Sequence, residues 1–219
     1  MGVGPPVDTA LMLLDLVLPL ECGGCGAPGT RWCDACAAAL SVMTDGPVLV
    51  NPRLDPGVPV FSLGRYAGAR RGAIVALKER GRTDLVGPLA VAVNAGLTHL
   101  VAWGIVELPL TLVPAPTRRS AARRRGGDPV TAFARAAAIP GIAVVPALRM
   151  RAFTRDSVGL SPGQRQRNIA GRVTLSHAVR GEVVLIDDVV TTGATGCESV
   201  RVLQAAGARV AAVLAVAHA

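Results

Sequence analysis

Residues 183–195 constrain the fold of this chain more than any other segment, because they join an apolar run, an acidic pair and a tight loop. Residues 183–186 are all apolar, as is typical of a central parallel strand that is covered on both faces. Asp187 and Asp188 follow this strand. The loop that leads into the next helix contains Thr191, Thr192, Gly193, Ala194 and Thr195. This order predicts an open α/β sheet, in which ligands bind beyond the carboxyl ends of the strands.

Each part of this segment matches one part of a sugar phosphate. Two neighbouring carboxylates can accept hydrogen bonds from adjacent ribose hydroxyls, directly or through Mg²⁺ and its waters. Gly193 permits a positive φ angle, and the loop amides, the threonine hydroxyls and the helix N-terminus can together hold a phosphate. The alternative is an acidic turn in which Thr192 or Thr195 caps the helix. We predict that residues 187–195 bind a ribose 5-phosphate group.

The rest of the chain is sufficient for one α/β domain and a small addition, since it has 219 residues, of which 51% are hydrophobic. Strands are predicted at residues 48–50, 60–63, 110–113, 142–145, 183–186 and 210–216. Helices are predicted at residues 1–20, 37–40, 68–80, 83–100, 128–138 and 196–206. The alternation predicts a mostly parallel sheet flanked by helices, with strand 60–63 at its edge and Asp128 as a helix N-cap.

Four cysteines near the N-terminus have the spacing of a metal site. Two Cys-x2-Cys turns, formed by Cys22, Cys25, Cys33 and Cys36, are separated by seven residues. Each turn directs two sulfurs at one centre, so the pair completes a tetrahedral four-sulfur site. We predict a structural Zn²⁺ here, with redox-active thiols or coincidental cysteines as the alternatives.

Proline and glycine are dense between residues 45 and 59, which predicts a linker. We therefore expect residues 1–57 to form an N-terminal helix, a zinc-ribbon-like module and a linker, and residues 58–219 to form the main domain. The apolar run at 11–18 lacks the basic flank and cleavage site of a signal peptide. No stretch reaches the ~18 uninterrupted apolar residues of a membrane span. We expect a cytoplasmic protein without a membrane span.

The chain is basic, with a net charge of +8 at pH 7, which indicates anionic ligands or partners. Arginines cluster after strand 110–113 and again between residues 149 and 172. The first cluster suits a pyrophosphate, but a solvated turn or a nucleic-acid surface is the alternative. The second suits a mobile lid or a structural hairpin. The candidate pyrophosphate ligands are Arg118, Arg119, Arg123, Arg124, Arg125 and Arg151.

Two single residues stand out in the sequence. Tyr66 is the only tyrosine, and we expect it to pack in the core. Lys78 is the only lysine, and it belongs either to the site or to a solvated helix end.

These motifs resemble type I phosphoribosyltransferases and, among them, the ComF family with its GntX-like group. The resemblance rests on the four cysteines and on residues 66–81, 113–116, 123–126, 160–168 and 183–195, and it implies that Tyr66 lies near the ligand. It implies the phosphoribosyltransferase fold with an N-terminal zinc ribbon, and phosphoribosyl pyrophosphate with Mg²⁺ as the ligand. It also implies that Asp187 and Asp188 hold the ribose as catalytic residues, and that the loop 191–195 holds the 5-phosphate.

The resemblance implies an enzyme that transfers ribose 5-phosphate to an unidentified acceptor and releases pyrophosphate. Thr191 stands where some purine phosphoribosyltransferases carry an acidic base, so an amine acceptor fits better. Residues 127–129 also depart from the Phe-Asn-Gln of relatives. The main alternative is a non-enzymatic nucleotide sensor or accessory protein of DNA uptake, which would work with nucleic acid or DNA-processing proteins. A structural adaptor with a vestigial site is the third interpretation.

Overall fold

The structure, a computed structural model, describes residues 20–42, 45–117, 127–151 and 171–219. Its strands are β1 (Val48–Val50), β2 (Val60–Ser62), β3 (Leu110–Pro114), β4 (Ile142–Val144), β5 (Leu148–Met150), β6 (Val173–Leu175), β7 (Glu182–Val190) and β8 (Arg209–His218). Its helices are α1 (Asp34–Leu40), α2 (Gly68–Glu79), α3 (Val86–Ala102), α4 (Pro129–Ala137) and α5 (Ala194–Ala205), with a 3-10 turn at Thr83–Leu85. The helix predicted at 1–20 falls almost wholly outside the described residues.

Within the described residues, the main sheet has six strands in the order β1-β2-β8-β7-β3-β4. Of these neighbouring pairs, β1–β2 is antiparallel and the others are parallel. Strand β7 is central, and residues 183–186 are fully buried. The predicted fold class, a mostly parallel sheet flanked by helices, is therefore confirmed.

Two expectations about strands need correction. Strand β2 does not lie at the edge, because β1 pairs with its outer side and all three of its residues are buried. Strand β7 continues to Val190, past the acidic pair, because β8 runs beside it as far as His218. The acidic pair is therefore held by the sheet itself and not by a turn.

The residues of β7 alternate between the two faces of the sheet, as the period of a strand requires. Val184 and Ile186 belong to a core that contains side chains of α2, α3 and α4. Val183 and Leu185 belong to a second core that contains side chains of α5 and of the β5–β6 hairpin. The acidic pair therefore lies at the end of a strand that is covered by different helices on its two faces.

The segment 83–102 is long and apolar enough to cross a membrane by length and composition, with a mean hydropathy of 1.6. It is part of the domain core, because Leu89, Val93 and Leu97 are each 1% exposed and belong to the same buried cluster as Val184 and Ile186 of β7. Within its most apolar 18-residue window, 44% is buried, while Val91 is 71% exposed.

Candidate functional site

A cavity of about 480 Å³ lies beyond the carboxyl ends of β3 and β7. This is within the usual size range of small-molecule sites. It brings together the acidic pair and the whole threonine-glycine loop: Asp187, Asp188, Thr191, Thr192, Gly193, Ala194 and Thr195. The residues that follow β3, which are Ala115, Pro116 and Thr117, also line this cavity. Parallel strands that end at one edge thus place distant parts of the sequence around one space.

The two aspartates line this cavity and are in contact with each other. The amide of Asp188 donates a hydrogen bond of 2.8 Å to Oδ1 of Asp187. Burial, together with the negative charge of Asp188, raises the pKa of Asp187 to about 8, although Lys78 acts in the opposite direction. Asp187 therefore keeps its proton to a higher pH than an ordinary aspartate, while Asp188 is held in an ion pair.

The ion-pair partner of Asp188 is Lys78, which the sequence left unassigned. Its Nζ lies 2.5 Å from Oδ2 of Asp188, and both residues line the cavity. Tyr66 also lines the cavity, and its ring lies 6.0 Å from the guanidinium carbon of Arg71. The one sequence signal for Lys78 is that it is the single lysine among 23 basic residues.

The loop between β7 and α5 depends on glycine at its centre. Gly193 has a φ angle of +83°, and a Cβ built there would lie 2.4 Å from the carbonyl oxygen of Leu54. The amide of Leu54 donates to the carbonyl of Thr192 at 2.9 Å, so the chain before β2 supports the loop from behind. The first residues of α5 border the cavity, which places the positive end of the helix dipole there.

Most of the candidate pyrophosphate ligands, namely Arg118, Arg119, Arg123, Arg124 and Arg125, lie outside the described residues. Arg151 is described, but it is exposed after β5 and is not among the cavity-lining residues of the described chain. Its amide donates to the carbonyl of Arg172 at 2.8 Å, so the ends of segment 151–172 are paired as in a hairpin.

The ends of the first arginine loop, in contrast, are fixed beside the cavity. Asp128 caps α4 as predicted, since its carboxylate accepts a hydrogen bond of 3.2 Å from the amide of Thr131. The same carboxylate accepts a hydrogen bond from the hydroxyl of Thr117, which lines the cavity. The chain therefore leaves the cavity at Thr117 and returns beside it at Asp128.

The four cysteines form a second candidate site. Their sulfur atoms all lie within 4.8 Å of one another, and Cys33 Sγ is 3.6 Å from Cys22 Sγ and 3.7 Å from Cys25 Sγ. Four thiolates at ~2.3 Å from a tetrahedral Zn²⁺ are roughly 3.8 Å apart, so the donor set and spacing fit that ion. All four are free cysteines.

The segment 20–40, here called the cysteine module, is packed tightly against α2. A Cβ built on Gly72 of α2 would lie 2.0 Å from the carbonyl oxygen of Gly24. Arg82, just after α2, donates to the carbonyls of Glu21 at 2.9 Å and Arg31 at 3.0 Å. These contacts fix the position of α2, the helix that carries Lys78.

No family model matches the chain, and no curated protein matches it. Among solved structures, it is similar to a phosphoribosyltransferase from Corynebacterium diphtheriae, with 19% identity, 84% of this chain and 83% of the other covered, and a TM-score of 0.38. An orotate phosphoribosyltransferase from Mycobacterium tuberculosis gives 14% identity, 84% and 82% coverage and a TM-score of 0.37. The UMP synthase of Leishmania donovani gives 18% identity and a TM-score of 0.35, with 83% of this chain but only 30% of that chain covered.

These similarities are too remote to indicate a function for this chain. The narrower resemblance to the ComF family remains a prediction. A functional assignment therefore depends on the geometry of the cavity.

Proposed function

We propose that this protein binds phosphoribosyl pyrophosphate with Mg²⁺ and acts as a phosphoribosyltransferase of the ComF type. It would transfer ribose 5-phosphate to an unidentified acceptor and release pyrophosphate. The observation that carries the proposal is that the acidic pair and the loop 191–195 line one cavity at the carboxyl edge of the sheet. Carboxylates suit ribose hydroxyls, and the loop with its helix N-terminus suits a phosphate.

In this proposal the residues of the cavity orient the sugar and stabilise charge. Asp187 and Asp188 accept hydrogen bonds from the ribose hydroxyls or from metal-bound water, and the loop 191–195 fixes the 5-phosphate. The bond between C1 and the pyrophosphate oxygen breaks, the pyrophosphate keeps the electron pair, and the acceptor's lone pair forms the new bond to C1. The negative charge of the acidic pair stabilises the positive charge that develops on the sugar ring.

Mg²⁺, when bound, would neutralise charge on the pyrophosphate, and the arginines of the two basic segments would do the same. An acceptor that needs little deprotonation fits this site, because Thr191 has no acid-base function. An amine is therefore the class of acceptor that we propose.

The cysteine module would hold one structural Zn²⁺ through Cys22, Cys25, Cys33 and Cys36. Four thiolates fill a tetrahedral coordination sphere and leave no position for a substrate. The role of this ion is therefore to fold the module against α2, and we do not assign it a chemical step.

A second candidate is a cytoplasmic protein of DNA uptake or processing that senses phosphoribosyl pyrophosphate without turnover. Its support is the net charge of +8 and a cysteine module that lies apart from the cavity lining. Such a protein would bind DNA with strong salt dependence, and its affinity would respond to phosphoribosyl pyrophosphate. It would release no pyrophosphate.

A thermal-shift titration with phosphoribosyl pyrophosphate and Mg²⁺ tests the binding proposal. Ligand at ~100 times its dissociation constant should add roughly 2.7 kcal/mol to the free energy of unfolding. The control is the double variant Asp187→Ala/Asp188→Ala, which should show no shift. An equal shift in both proteins would reject the site, and release of pyrophosphate with candidate amines would distinguish the enzyme from the sensor.

A further inference from the structure

Among the described residues that line the cavity, Lys78 is the single cation, and its position suggests a more specific role than pairing with Asp188. Its side chain is 29% exposed, so the ammonium borders solvent-accessible space. The ammonium has three N–H donors and can be shared between a carboxylate and a phosphate oxygen. Such a role rests on the proposed function and concerns the class of ligand that the same site takes.

Lys78 and the phosphate loop approach the acidic pair from opposite faces of the sheet. The loop leads into α5, whose side chains pack on one face of β7. Lys78 belongs to α2, whose side chains Ile74 and Leu77 pack in the core on the other face. The acidic pair at the end of β7 lies between them.

The shape of the ligand indicates which of its groups would lie next to Lys78. In ribose 5-phosphate, the phosphate is attached at one end of the sugar and C1 lies at the other end, with the two hydroxyls along the edge between. If the loop holds the phosphate and the aspartates hold the hydroxyls, the substituent on C1 points away from the loop. Lys78, whose Nζ lies 2.5 Å from Asp188, is the described cation on that side.

The position of Lys78 is fixed by contacts elsewhere on α2. Gly72 is in close contact with Gly24 of the cysteine module, and Arg82 binds two carbonyls of the same module. Buried Arg70 at the start of the helix donates to the carbonyls of Leu40 at 3.1 Å and Leu63 at 2.8 Å. A helix held at both ends presents its ammonium in one place, which is a requirement for discrimination between ligands.

We propose that Lys78 binds an anionic group on C1 of the ligand and thereby makes the site selective for ribose 5-phosphates that carry a second phosphate on C1. Phosphoribosyl pyrophosphate belongs to this class, and ribose 5-phosphate alone does not. If Lys78 only neutralised Asp188, its removal would change the affinity for both ligands by the same factor. The ratio of the two affinities is therefore the informative quantity.

The experiment is isothermal titration calorimetry with phosphoribosyl pyrophosphate and with ribose 5-phosphate at one fixed Mg²⁺ concentration. The proteins are the wild type, Lys78→Met, Lys78→Arg and the matched control Arg80→Met. Arg80 is exposed directly after α2 and is not among the cavity-lining residues of the described chain, so this control removes one positive charge nearby. Circular dichroism checks that each variant is folded.

Lys78→Met should weaken the affinity for phosphoribosyl pyrophosphate by about 10- to 100-fold, as expected for the loss of a charge-assisted hydrogen bond. The affinity of this variant for ribose 5-phosphate should change by less than about 3-fold. Arg80→Met should change the affinity for either ligand by no more than that. Lys78→Arg, which keeps the charge, should retain part of the preference and provides the test if the methionine variant does not fold.

An unchanged ratio in the Lys78 variants would overturn this inference while leaving the proposed function in place. A wild-type protein that binds neither ligand would reject the proposed function, and the assignment of Lys78 with it.

Discussion

Asp187 keeps its proton to a pH at which most aspartates are ionised, because it is partly buried and lies next to the negative charge of Asp188. A carboxyl whose pKa is raised on folding contributes stability that is complete below the pKa of the unfolded chain, ~3.9, and is lost as the pH rises. For Asp187 the loss extends to about pH 8. Ionisation of Asp187 in the ligand-free site therefore lowers the free energy of unfolding as the pH rises.

Replacement of Asp187 by asparagine should stabilise the ligand-free protein at pH 8. The amide oxygen can still accept from the amide of Asp188, and the cost of a buried charge is removed. We expect a gain of at least about 1 kcal/mol in the free energy of unfolding at pH 8 and a smaller gain towards pH 4. Urea denaturation at several pH values measures this.

Two results bear on this prediction directly. Asp188→Asn, which breaks the ion pair with Lys78, should not give the same gain. A gain for Asp187→Asn that does not depend on pH would contradict the assigned pKa.

Gly193 is the second residue whose surroundings restrict the side chain at that position, in this case to a hydrogen atom. Gly193→Ala places a Cβ at a φ angle of +83° and 2.4 Å from the Leu54 carbonyl oxygen. We expect a loss of about 1–3 kcal/mol in stability, together with loss of the ligand-induced thermal shift. The matched control is Gly87→Ala in α3, where a Cβ meets nothing within 4 Å. That change should be neutral or should stabilise by up to ~1 kcal/mol, and equal effects of the two changes would reject a special role for Gly193.

The sequence predicted some components of the cavity and left others unassigned, for physical reasons. The acidic pair and its loop are local in sequence, so their chemistry could be inferred from one segment. Lys78 and Thr117 come from other elements, and only the order of the strands brings them to the same place. No local pattern could distinguish Lys78 from a solvated helix end, since its partner lies more than a hundred residues later.

Among the helices and strands, alternating patterns in the sequence predicted where most elements lie along the chain. The order of the strands in the sheet depends on pairing between distant segments. The pattern of β2 indicates a strand, but its position inside the sheet depends on β1, which falls in a segment whose composition is typical of a linker. The boundary at residue 57 remains a prediction, and β1 lies before it while pairing with β2. The hairpin of β5 and β6 joins residues on either side of a basic segment, and a contact of that range has no local signature.

The cysteine module is the element whose stability should depend on a metal. We predict about one Zn²⁺ per chain by elemental analysis of the wild type. Cys25→Ser should lose this metal, and its melting temperature should fall by several degrees. Cys25 is exposed, so the change removes a ligand with little loss of packing. Cys197→Ser, at a cysteine outside the cluster, is the control and should retain the metal. Metal-free wild-type protein with an unchanged melting temperature would refute the site.

In the whole molecule, the elements that border the site pack on two different faces of one sheet and come together at its carboxyl edge. One face carries α5 and the loop, and the other carries α2, with the cysteine module packed on it. The acidic pair at the end of β7 is the place where the two meet. The central claim is therefore that a sugar phosphate spans this edge, with its phosphate on the loop and its hydroxyls on the two aspartates.

A crystal structure of the protein with phosphoribosyl pyrophosphate and Mg²⁺ tests this claim most directly. We expect 5-phosphate oxygens at hydrogen-bonding distance, ~3 Å, from the amides of residues 193–195, and ribose hydroxyls on Asp187 and Asp188 directly or through one water. A ligand bound elsewhere, or bound in the cavity with its ribose away from both aspartates, would contradict it.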